Sequence, residues 1–212
     1  MTAPTIPNRL EFEDESHTYR WDGSVVPSVT QLLKPVGFDY DSIPRHIVQH
    51  ASERGTAVHA ATEFYDDGDL DEDSVDLEIL PYVQAWRLFR EQSGFQVFRS
   101  EVRVYSERHG FAGTFDCLGV LNRQLAIVEK KTTAQLHPST AIQVSAYMRA
   151  FNEGKPREEQ AKRCYSVWLR RDGTYRLDEH DPETHWGAFL ALRYPDHPQS
   201  AATVAAWRTC FL

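Results

Sequence analysis

The chain has 212 residues and a mass of 24.4 kDa, the size of one ordinary domain. Its 41% hydrophobic, 12% aromatic and 25% charged residues exclude a disordered chain, and no apolar run approaches the roughly 20 residues that a membrane span needs. A net charge of −8 speaks against a uniformly basic polyanion binder, yet residues 99–176 hold 14 Lys/Arg against 8 Asp/Glu while the rest of the chain holds 9 against 23. Such asymmetry marks a polyanion-facing side or is ordinary scatter of solvated charge. Residues Met1 to Thr5 carry no basic region followed by an apolar stretch, so no secretory signal is expected. Cys117, Cys164 and Cys210 are odd in number, far apart and in no Cys-x-x-Cys pair. That disfavours a disulfide framework and a zinc ribbon, and suits a reducing cytoplasm.

In chain order, Leu10–Phe12 and Thr18–Trp21 read as short strands with a turn at Asp22-Gly23. Ser28-Val29-Thr30-Gln31 has capping-box spacing and opens a short helix that stops near Pro35. Asp41 or Ser42 is placed to cap a second helix, with Pro44 in its first turn, running to about Tyr65. Asp66 to Asp73 is too acidic to pack and reads as a solvated loop; a calcium-loop reading fails because Glu72 stands where glycine is required. Ile79, Tyr82, Val83, Trp86 and Phe89 recur at helical spacing, predicting a core helix that ends near Gly94. Three β-rich runs follow, Phe95–Tyr105, Phe111–Leu121 and Leu125–Thr132. Pro138 starts a helix to about Asn152, Tyr165–Leu169 and Thr174–Leu177 form a hairpin around Asp172-Gly173, and Pro182–Leu192 and Ala201–Trp207 close the chain as helices.

The chemistry concentrates in Gly113-Thr114-Phe115-Asp116 and Val128-Glu129-Lys130-Lys131-Thr132. A hairpin turning at Asn122-Arg123 sets Leu121 opposite Gln124 and, continued, Asp116 opposite Glu129. Directly paired residues have Cβ atoms roughly 4.5–5.5 Å apart, where like charges destabilise. A hard divalent cation would reconcile two facing carboxylates. Period two puts Lys131 on the face of Glu129, where an ammonium can orient a water or neutralise charge developing on a phosphate. The pattern suits metal-assisted phosphodiester hydrolysis; the same three residues also suit a surface hairpin with a salt-bridged cluster. His59 and Glu63 lie four apart on one helix face, as do Gln143 and Tyr147. The first pair suits a metal or phosphate, or a structural hydrogen bond. The second suits a nucleic-acid backbone, a hold on the lysine, or core packing.

Together these segments resemble the PD-(D/E)xK nuclease superfamily, specifically its RecB-like branch of phage and CRISPR-associated exonucleases. The motifs are Gly55-Thr56-Ala57-Val58-His59 with Glu63, Gly113-Thr114-Phe115-Asp116, Glu129-Lys130-Lys131-Thr132 and Gln143-Val144-Ser145-Ala146-Tyr147, in the family's order. His17-Thr18-Tyr19 and Val26-Pro27-Ser28-Val29-Thr30 also look like phage members. The resemblance implies an α/β fold with a restriction-endonuclease-like core, a mixed central β-sheet flanked by helices on both faces. It implies a magnesium- or manganese-dependent DNA nuclease, an exonuclease leaving 5′-phosphates, in phage or bacterial recombination, repair or DNA processing in the host cytoplasm. A nuclease-fold DNA binder that cleaves poorly is the alternative, and a protein-interaction or DNA-mimic module using the acidic loop is a third.

Carried over by the resemblance, Asp116 and Glu129 are metal-binding carboxylates, His59 a further ligand, the Lys130 carbonyl the last protein ligand, and Lys131 the catalytic lysine. Gln143 and Tyr147 match the branch's Gln-xxx-Tyr motif against the site and the DNA, and Glu63 and Glu101 support the site or a second cation. Glu129 stands where the branch usually has Asp, and Lys130 where an apolar residue is usual. With only three scattered cysteines, no iron–sulfur cluster is expected. One nuclease domain is expected over 1–212, with a hairpin and helical part at 1–94, a catalytic core at 95–180 and closing helices at 181–212. DNA is the expected partner, with a homo-oligomer or a recombination or repair protein beside it, and no membrane.

Overall fold

The computed structural model describes residues 9–212; the reading of Met1 to Thr5 falls outside them. Among the described residues, eight strands and six α-helices form two sheets and their covering layers. Strands β1 (Leu10–Glu13), β2 (Thr18–Trp21) and β3 (Ser24–Val26) make a small antiparallel sheet. Helix α1 (Val29–Leu33) follows, and its capping box is complete: Ser28 Oγ accepts the Gln31 N–H at 3.1 Å while Gln31 Oε1 accepts the Ser28 N–H at 3.0 Å.

Helix α2 (Arg45–Asp67) is capped by Pro44 rather than by Asp41 or Ser42, and it reaches two residues past Tyr65 to a left-handed Gly68. Helix α3 (Leu80–Ser93) ends at left-handed Gly94 and buries Tyr82, Val83, Trp86 and Phe89, as their spacing requires. Asp66 is not part of a solvated loop. Its side chain is 1% exposed, pairs with Arg90 and accepts the Trp86 indole N–H at 3.1 Å, locking α2 onto α3. Burial pushes its carboxyl above the usual range, against the pull of Arg90.

The main sheet runs β4 (Gln96–Ser106), β5 (Phe111–Leu121), β6 (Gln124–Lys131), β7 (Arg163–Leu169) and β8 (Tyr175–His180), with β6 and β7 parallel and every other neighbour antiparallel. Asn122 and Arg123, with φ of 50° and 64°, turn β5 into β6 and set the expected register, Leu121 opposite Gln124. Helices α4 (Ser139–Asn152), α5 (Pro182–Arg193) and α6 (Ser200–Phe211) lie with α1 over one face, and α2 and α3 over the other. Both faces of the sheet are thus covered, the architecture the sequence implies. Helix α4 connects the parallel strands and is buried from Thr140 to Phe151 except at Arg149, because sheet and neighbouring helices enclose it. Among the described residues no helix is long and apolar enough to cross a membrane.

Two tests follow from this packing. At Gly119 an added Cβ would sit 2.2 Å from the carbonyl oxygen of Gln96, backbone that cannot swing aside. Gly119→Ala is expected to cost about 1–3 kcal/mol, read as a lowered denaturant midpoint. His180 Nε2 meets Ser166 Oγ at 2.8 Å, and burial lowers its pKa from 6.5 to about 4. The unfolded chain then binds the proton first, so its contribution is complete above about 6.5 and fades as the pH falls toward about 4. His180→Gln is expected to flatten the stability–pH curve in that window, measured by urea unfolding.

Candidate active site

The ladder between β5 and β6 stops at Cys117–Val128, one step before Asp116 and Glu129 would pair. Beyond it the Asp116 side chain takes over: Oδ2 accepts the main-chain N–H of Lys130 at 2.5 Å. Its other oxygen lies 3.1 Å from Nδ1 of His59, which α2 delivers from the helix layer. Burial alone would raise the Asp116 pKa, but His59, Lys130 and Lys131 outweigh it and hold the carboxyl at about 2.

Glu129 is anchored differently. Its Oε1 accepts from Lys131 Nζ at 3.0 Å and from Gln143 Nε2 at 3.1 Å, and that amide also donates to the Tyr147 hydroxyl at 3.0 Å. Its Oε2 is buried with no hydrogen-bond partner among the described residues. Burial, then the charge of Asp116, push Glu129 up to about 7, while Lys131 opposes the rise. Gln143 therefore touches the β6 carboxylate with Tyr147 behind it, and Gly113 makes room for Tyr147: an added Cβ would lie 2.5 Å from its ring.

Glu101 joins this group from β4. His59, Glu101 and Asp116 each offer a ligand atom, all within 4.8 Å of one another. The residues grouped for a cation thus differ from the expected set, with Glu101 beside His59 and Asp116 and with Glu129 set apart on Lys131 and Gln143. Glu101 has φ of 48°, a left-handed conformation in mid-strand, and falls between the Ser100–Cys117 and Val102–Phe115 pairs. Such a conformation costs on the order of 1–3 kcal/mol in a non-glycine residue, a pattern common where a side chain is aimed for function. Packing around its carboxyl and the nearby Asp116 raise the Glu101 pKa. Glu63, one turn along α2 from His59, adds to that rise, and its side chain makes no hydrogen bond among the described residues.

The two lysines part by strand parity. Lys131 points to Glu129. Lys130 points through the sheet's other face, 1% exposed, where Nζ donates to Thr62 Oγ1 at 2.8 Å and lies 5.2 Å above the Trp86 ring. It neither snorkels out nor lacks cover; it pairs within the helix layer, which leaves Lys131 as the only one of the two at the carboxylates. Imidazole nitrogen and carboxylate oxygen, with a buried oxygen left unpartnered on Glu129, are a donor set that fits Mg²⁺ or Mn²⁺. Beside Lys131, a row of paired residues crosses to the sheet edge: Trp168, then Arg176, with the Arg176 and Arg170 guanidinium carbons 5.2 Å and 4.7 Å from the Trp168 ring.

No family model matches the chain, and no curated protein matches it. Among solved structures it is similar to an alkaline exonuclease (LHK-Exo) from Laribacter hongkongensis, at 15% identity over 86% of this chain and 92% of that one, with a TM-score of 0.39. The same exonuclease in complex with dAMP matches at 17% identity over 81% and 89%, TM-score 0.31. The protein SSO0001 matches at 13% identity over 72% and 71%, TM-score 0.35. At likenesses this low the functional reading rests on the chain's own residues.

The cluster predicts its own titration. Asp116→Ala is expected to abolish Mn²⁺ binding measured by calorimetry. Glu101→Asn, a residue that tolerates positive φ, is expected to weaken it while leaving the melting temperature unchanged or higher. Unaltered Mn²⁺ affinity in both variants would remove the cation from this site.

Proposed function

We propose that this chain is a divalent-metal-dependent nuclease that hydrolyses DNA phosphodiester bonds as an exonuclease. The observation that carries the reading is the Lys131 ammonium, held on buried Glu129 beside the His59–Glu101–Asp116 cluster. His59, Asp116 and Glu101 would hold Mg²⁺ or Mn²⁺, with Glu129 and the Lys130 carbonyl as further ligands. When bound, the cation would polarise the phosphoryl oxygens and acidify a nearby water.

The chain's own groups supply the rest. The Lys130 N–H fixes one Asp116 oxygen, and His59 fixes the other, so the carboxylate is oriented before substrate arrives. Gln143, itself braced by Tyr147, keeps the Glu129 carboxylate turned toward Lys131. Lys131 Nζ then positions the attacking water and offsets negative charge growing on the phosphoryl oxygens. Water oxygen bonds to phosphorus, the P–O3′ bond breaks, and the products are a 5′-phosphate and a 3′-hydroxyl. Glu63, one turn along α2 from His59, would support the cluster through its charge. Trp168, Arg170 and Arg176 lie along the sheet edge where a phosphate backbone would leave the site. The reading takes 1–212 as one nuclease domain acting in recombination, repair or DNA processing in a bacterial or phage-infected cytoplasm, alone, as a homo-oligomer or with a partner of that machinery.

The test is cleavage of end-labelled DNA with Mg²⁺ or Mn²⁺. Lys131→Ala and Asp116→Ala are each expected to lower the rate by about a hundredfold or more, and Lys130→Met to act through stability, lowering the melting temperature. Rates equal to the parent's in both catalytic variants would overturn the assignment. Binding without cleavage in either metal would make the chain a nuclease-fold DNA-binding protein.

A further inference from the structure

A cleft of about 730 Å³ opens directly onto Lys131 and Gln143. It is lined by Phe38 and Tyr40 from the segment after α1 and by His137 just before α4. Phe38 sits 5.0 Å from Tyr40 and 6.1 Å from His137, centroid to centroid, so three rings line one side. Phe38 is 38% and Tyr40 51% exposed. Large rings left open beside a buried polar site are not explained by the core, which closes without them. The volume falls within the range of about 300–1,000 Å³ typical of small-ligand clefts, the scale of a nucleotide or two rather than of a duplex.

Charge divides the ground on the two sides of Lys131. The basic residues Arg170 and Arg176 stand on the Trp168 side. On the cleft side Asp39 and Asp41 join the rim, with Lys34 the cation besides Lys131. Carboxylates repel a phosphate backbone, whereas aromatic faces accept any base by stacking, worth about 1–3 kcal/mol per base. The rings touch one another, so no base slides between them; a base would lie on their open faces, which requires it to be unpaired.

We infer that the Phe38–Tyr40–His137 cleft is a subsite for unpaired nucleobases of the strand being cut, placed so that a stacked base sets the adjoining phosphodiester at Lys131. This rests on the nuclease reading and adds to it a substrate class, a single-stranded or frayed end. Phe38 and Tyr40 act on binding and register, not on the bond itself.

The experiment uses the full chain and a short fluorescein-labelled single strand, with an abasic nucleotide moved along it. Binding is read by anisotropy without metal, and hydrolysis of the same strands is read with Mn²⁺. In the parent, one abasic position is expected to weaken binding about tenfold. Phe38→Ala/Tyr40→Ala is expected to bind the intact strand about tenfold less tightly and to lose that position dependence, while Phe38→Tyr/Tyr40→Phe restores both. The matching blunt duplex is expected to bind less tightly than the single strand in the parent and alike in parent and double-alanine variant. A parent indifferent to the abasic site, a variant still sensitive to it, or a parent that binds duplex as tightly as single strand overturns the inference. Cleavage without abasic sensitivity rejects the subsite and keeps the nuclease; abasic-sensitive binding without cleavage in either metal keeps the subsite and rejects the nuclease.

Discussion

Asp116 does the work of a backbone carbonyl. Where the β5–β6 ladder ends, the amide of Lys130 would face a buried gap, and an unpaired buried N–H costs about as much as a lost hydrogen bond. The Asp116 carboxylate fills it. One oxygen is thereby spent on the sheet and the other is left for His59. The strands are free to part after Cys117 and Val128 without loss, and the space they open is where the other charged groups gather.

The alternation of β6 then sorts those charges. Glu129 and Lys131 face α4, where Gln143, donating also to the Tyr147 hydroxyl, holds one Glu129 oxygen beside the Lys131 ammonium. Lys130 faces α2 and α3, where Thr62 and Trp86 receive its ammonium and the Asp66 carboxylate attracts it. Two neighbouring lysines so similar in chemistry serve different layers because a strand can turn them no other way. A buried ammonium is costly unless compensated, and here an acid, a hydroxyl and an aromatic face compensate it together.

Much of this was legible in the chain. The Ser28 capping box, the Ile79-to-Phe89 stripe and the Asn122-Arg123 turn are local signals, and each reads through unchanged into α1, α3 and the β5–β6 register. The turn alone fixes which residues of two strands meet, so Asp116, Glu129 and Lys131 could be related before any fold was known. Asp66 was not legible: its neighbours Asp67 to Asp73 are acidic, and only Arg90 and Trp86, distant in sequence, make it a buried residue. Glu101 was legible only as a supporting acid. Its register depends on a four-residue turn between Ser106 and Phe111, and a positive φ at a glutamate in mid-strand has no signal in the residue type. Phe38 and Tyr40 carry no periodicity to distinguish them from ordinary core.

The close approach of β5 to α4 has a reach beyond this one chain. Tyr147 rests where Gly113 has no side chain, so the bareness of one position and the ring at the other are a single fitted joint. A descendant sequence that acquires even a methyl at 113 must shed bulk at 147, and in doing so surrenders the hydroxyl that braces Gln143. The two sites are bound to drift in tandem or not at all.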